Sequence, residues 1–144
     1  AAIIGVSIIK TNFETAGNLI FLFFYLISIV AASLSTYYKY QNNSHFASIG
    51  ASGAVSAVLF AAILLNPGLS LYIMFIPLPI PGFIYGIFYL WYSSRSAQRG
   101  GDGIDHLAHL YGALFGILFP LALKPQLLPE FFSQLSFWFS SLGS

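Results

Sequence analysis

The chain has 144 residues, of which 58% are hydrophobic, 18% aromatic and only 6% charged. A soluble domain carries about 25% charged residues, so there is too little polar surface here to coat a water-soluble globule, and composition points to a membrane protein. The net charge of +1 excludes a basic nucleic-acid-binding surface, and the lack of cysteine excludes disulfides, thiolate metal sites and cysteine nucleophiles.

Residues 1–9 are apolar but too few to cross a bilayer, and no positively charged region precedes them, so they do not read as a signal peptide. They read as the tail of a helix whose start lies upstream, and the chain is expected to be a fragment. Residues 18–38 form the first uncharged stretch of about 20 residues, the length that a bilayer core of about 30 Å requires. Tyr37, Tyr38 and Tyr40 cluster at its end, where aromatic rings favour the headgroup level. A polar loop follows over 39–48. The second span, 49–65, is shorter and stops at Asn66, Pro67 and Gly68, which terminate helices. Pro77, Pro79 and Pro81 break the apolar run that follows, so no regular helix continues there. A third span is expected over 81–94, with Trp91 and Tyr92 at its far interface.

Residues 95–103 read as a Gly-rich polar loop, and 104–123 as a fourth span interrupted by His106 and His109 and closed by Lys124 and Pro125. Over 126–143, Leu128, Phe131, Phe132, Leu135, Trp138 and Leu142 recur at helical spacing, with Glu130, Ser133, Gln134 and Ser141 opposite. This is an amphipathic C-terminal helix, lying on the membrane surface or against the bundle. The expected fold is all-α, a polytopic transmembrane helical bundle forming one domain over 1–144. Lys10, Lys39, Arg95, Arg99 and Lys124 fall on both sides of the spans, so charge alone does not set orientation.

Polar groups inside spans are costly, and they are functional candidates for that reason. Ser52 lies in Gly50-Ala51-Ser52-Gly53 at the start of the second span, and His109 lies in Ala108-His109-Leu110-Tyr111-Gly112, about 7.5 Å into the fourth. Alternating spans place both helix starts on one side of the membrane. Gly53, Ser56, Ala57 and Ala61 make a small-residue stripe on the second span, and Gly112 and Gly116 a GxxxG pair on the fourth, which permit close approach. A serine and a histidine within hydrogen-bond reach make a nucleophile and its general base. Free N–H groups at the helix start, over Gly50, Ala51, Ser52 and Gly53, are available to an oxyanion.

GASGAVSAVLFAAILLNP, a Pro-rich loop and HLAHLYGALFG together resemble the rhomboid family of intramembrane serine proteases, over roughly residues 17–123. The resemblance implies a Ser52–His109 dyad with no third acid, close helix packing at Gly112, and four of the family's six core spans, the first spans lacking. It implies cleavage of transmembrane protein substrates in the lipid bilayer, with no cofactor and no metal, by a multi-pass protein of a bacterial inner (plasma) membrane. Two departures matter. The family's oxyanion-holding His and Asn lie on an earlier span that is absent here, so this chain alone is expected to be weakly active or inactive. Ser56 stands where many bacterial members have an aromatic residue packing on the histidine, which leaves Tyr111 or His106 to orient His109.

Simpler readings compete for each residue. A serine between glycines is often a packing site. Asp105, His106 and His109 share a helix face that could hold a metal, but Asp105 or Asp102 reads better as a helix N-cap, and His106 as an interface or rim residue. His45, Asn42 and Asn43 read as loop, and Tyr85 and Tyr89 as packing. The alternative function is a non-catalytic rhomboid-like protein that binds membrane clients. A small transporter or channel fragment would instead string polar residues along a pore.

Overall fold

The computed structural model describes residues 17–42, 51–73, 76–99 and 104–143. Helix α1 spans Gly17–Tyr40, and its 24 residues reach about 36 Å, enough to cross a bilayer core. Its buried residues include Phe24, Ser28, Ala32 and Thr36, one residue per turn along a single face. The opposite face exposes Leu22, Phe23, Leu26, Val30 and Leu34. Apart from Phe24, the side chains inside are small or polar and those outside are large and apolar, an arrangement that a lipid surround favours.

Helix α2, Ala51–Leu65, is 15 residues long and is buried nearly all round, from Gly53 and Ala54 to Ile63 and Leu64. At about 22 Å it is shorter than the bilayer core. Strands β1, Ser70–Ile73, and β2, Ile76–Pro81, then form an antiparallel ribbon that the sequence reading did not foresee. Ser70 faces Pro81, Leu71 faces Ile80 and Ile73 faces Ile76, with an irregularity between Leu71 and Ile73. Prolines 77, 79 and 81 exclude a helix but are tolerated in an edge strand, where a missing N–H can face outward.

Helix α3, Gly82–Arg99, runs past the expected end of the third span. Nothing between Ser93 and Arg99 stops it, since Arg95, Ala97, Gln98 and Arg99 favour helix and the glycines come afterwards. Helix α4 spans His106–Leu123 and helix α5 spans Leu127–Leu142. Among the described residues, α1 and α4 have both the length and the apolarity to cross a membrane, while α2 is apolar but shorter.

Helices α1 and α4 are antiparallel. Thr36, late in α1, hydrogen-bonds Asp105 before α4, while Phe24 stacks on Phe115 and Phe119 farther along. Helices α2 and α4 are parallel, because Gly53 faces Ala108 and Gly112 while Ala57 faces Gly116. Phe24, Ala57, Val58 and Ala61 form the central cluster, with Phe21, Tyr25, Phe115 and Phe119 packed around it.

The C-terminal helix packs at the other end of the bundle. Trp138 meets Phe83 at 5.1 Å between ring centroids, and Gln134 donates to the Leu65 carbonyl at 3.1 Å. Phe132, Phe137 and Leu142 stay exposed, so α5 covers the bundle with one side and offers an apolar surface on another.

Candidate active site

Ser52 occupies the first turn of α2 with its side chain exposed, and His109 the first turn of α4, half-buried. Their neighbours bring the two turns together. A methyl built on Gly53 would stand 2.8 Å from the carbonyl oxygen of Ala108, the residue before His109, and would overlap the Ala32 side chain. A methyl on Gly112 would overlap the Gly53 carbonyl, and one on Gly116 the Ala57 carbonyl. Only hydrogen fits at these positions, so backbone lies against backbone along the seam. Among the described residues no hydrogen bond joins the Ser52 hydroxyl to the His109 ring. Bonds between a nucleophile and its base are often long until substrate binds.

The backbone N–H groups of Ala51, Ser52 and Gly53 belong to the first turn of α2 and have no intrahelical acceptor. Gly50, His45, Asn43 and Asp102 lie outside the described residues. Asn42 is exposed in a turn after α1.

The start of α4 is fixed by Asp105, the N-cap. Its carboxylate accepts from the Ala108 N–H at 3.0 Å and from the Thr36 hydroxyl, and it is buried. The cap holds the turn that carries His109 and joins it to α1. This matches the N-cap reading of Asp105. Among the described residues no group of three His, Cys, Asp or Glu side chains is placed to hold a metal ion.

Of the two residues expected to orient His109, Tyr111 does not face it and His106 does. Tyr111 is 49% exposed and points elsewhere, because residues two apart on a helix lie on nearly opposite faces. His106 is buried, which fits the interface alternative and not the rim one. Its ring lies 6.1 Å from His109 and 5.5 Å from Tyr92, edge-on to both. Tyr89 of α3, which the sequence reading gave to packing, has its ring 6.3 Å from that of His109, and its hydroxyl is 2.5 Å from Ser56 Oγ. One signal could have singled it out: a tyrosine in mid-span carries a hydroxyl that needs a partner when buried.

A model of the Rhomboid domain family matches residues 2–126. Among curated proteins, the chain is similar to "RHOMBOID-like protein 12, mitochondrial" of Arabidopsis thaliana, 38% identical over 65 residues. That stretch covers 45% of this chain and 19% of the relative, so the chain corresponds to a small part of that protein's length. No solved structure matches the chain. The relative is mitochondrial by name, so the comparison lends no support to a bacterial plasma membrane as the location. The apolar outward faces, the two span-length helices and the match over residues 2–126 agree, and the chain belongs to the Rhomboid family, as a rhomboid-like helical membrane protein.

Proposed function

We propose that the protein is an intramembrane serine protease that cleaves transmembrane protein substrates through Ser52 and His109. One observation carries this reading. Parallel helices α2 and α4 pack backbone to backbone at Gly53 and Gly112, so the turns bearing the serine and the histidine lie side by side at one end of the bundle. The rhomboid family resemblance supports it, since both members of the family's dyad are present.

In this reading His109 removes the proton from Ser52 Oγ as the oxygen attacks a substrate carbonyl carbon. The carbonyl oxygen takes up the negative charge. The N–H groups of the first α2 turn, at the positive end of the helix dipole, stabilise it. The protonated His109 then gives its proton to the leaving amine, and an acyl-enzyme on Ser52 remains. Water, activated by His109, hydrolyses that ester and restores the serine. Asp105 acts on the turn, through the Ala108 N–H, and takes no part as a third acid.

The test is cleavage of a quenched fluorescent transmembrane peptide by the full-length protein in liposomes. Ser52→Ala and His109→Ala are each expected to lower kcat by at least about 1,000-fold while the protein stays folded. A folded parent that is inert on several such peptides, yet retains them in pull-down, would favour the client-binding reading.

A further inference from the structure

Ser56 is buried one turn after Ser52, and Tyr89 reaches it from α3. The Ser56 hydroxyl also contacts the Ser52 carbonyl oxygen at 3.3 Å. In the 2.5 Å contact either hydroxyl can donate. The contacts link Tyr89 through Ser56 to the backbone of Ser52.

The other side of Tyr89 faces the histidine. Its ring lies 6.3 Å from that of His109, tilted by 38°, and is held from behind by Phe60 at 5.5 Å and Tyr85 at 5.8 Å. Position 56 carries a small side chain, and Tyr89 of α3 lies against both Ser56 and His109. We propose that Tyr89 is a positioning residue that ties the two members of the dyad together, its ring limiting rotation of the His109 imidazole and its hydroxyl holding that ring in register with the Ser52 turn. This rests on the protease reading above. The simpler alternative is that two hydroxyls in a membrane span merely satisfy each other. That alternative moves stability and leaves turnover alone.

The two are separated with the full-length protein in liposomes, in Tyr89→Phe, Ser56→Ala, the double variant and Tyr89→Leu. Steady-state cleavage of a quenched transmembrane peptide, labelling of Ser52 by a fluorophosphonate probe, and thermal unfolding are measured on each. Tyr89→Phe and Ser56→Ala are each expected to lower kcat and the labelling rate about 3- to 10-fold, with KM changed less than about twofold. The double variant is expected to be no slower than the slower of the two single ones, because the Tyr89–Ser56 bond can be lost only once. Tyr89→Leu, which also loses the ring, is expected to be slower than Tyr89→Phe. Unchanged kcat in Tyr89→Phe and Ser56→Ala, or losses that multiply in the double variant, would overturn the positioning role. A different result marks failure of the protease reading itself: Ser52→Ala would then cleave as well as the parent, or the folded parent would neither cleave nor take the probe.

Discussion

The bundle is held by opposite means at the two ends of α2. At its first turn, Gly53 meets Gly112 and Ala108 with no side chain between, and the fit depends on atoms that are missing. Past its far end, beyond the Asn66–Gly68 turn, α3 and α5 close the bundle through large rings, Phe83 meeting Trp138 and Phe139 edge to face at 5.1 and 5.7 Å. Backbone contact fixes the helix separation closely and cannot yield when an atom is added. Ring contacts can shift and repack. The first kind of seam suits a site where a serine and a histidine must be placed within a fraction of an ångström, the second suits an end that only has to close the bundle.

The contrast breaks most readily at Gly112. Gly112→Ala puts a methyl into the Gly53 carbonyl, so the helices must part. Overpacking of this kind costs about 1–3 kcal/mol or more. A shift of about 1 Å between reacting groups is worth about 100-fold in rate. Cleavage assays and thermal unfolding in detergent should show activity falling much further than stability. Next comes the cap. Asp105→Ala removes the acceptor of both the Ala108 N–H and the Thr36 hydroxyl, and is expected to cost about 1–2 kcal/mol with a partial loss of turnover. Asp105→Asn, which keeps an acceptor oxygen, should recover part of both. The smallest effect on activity is expected from Trp138→Ala, at the ring-held end. It should lower stability by about 1 kcal/mol and leave kcat within about twofold, because it lies on the far side of the bundle from Ser52. A loss of turnover from Trp138→Ala as large as that from Gly112→Ala would remove the distinction between the ends.

Much of this was legible in the residues. Helices α1 and α4 follow from apolar runs of membrane length, the end of α2 from Asn66-Pro67-Gly68, and the seam from the small residues at 53, 57, 112 and 116. The residues offered Asp105 or Asp102 as N-cap, and Asp105 is the one that caps α4. The hairpin over 70–81 was not legible, because three prolines mark the end of helix equally well before a loop and before an edge strand. The C-terminal extension of α3 was missed because polar residues were read as loop although they favour helix. Tyr89 escaped for a different reason. It reaches His109 and Ser56 across two helix–helix interfaces, and the rotation of α3 that points it there is set by packing at Gly86 against Phe60 and Ile63, which no local pattern states. Tyr111, adjacent in sequence to the histidine motif, was the more obvious candidate and lies on the wrong face.

The central claim, that Ser52 is a nucleophile activated by His109, is tested most directly by the rate at which a fluorophosphonate probe labels the full-length protein in liposomes, with the modified residue located by mass spectrometry. The account predicts a single adduct on Ser52 whose formation slows by at least about 1,000-fold in His109→Ala while the protein remains folded. Labelling elsewhere, or labelling of Ser52 at the same rate without His109, would contradict it.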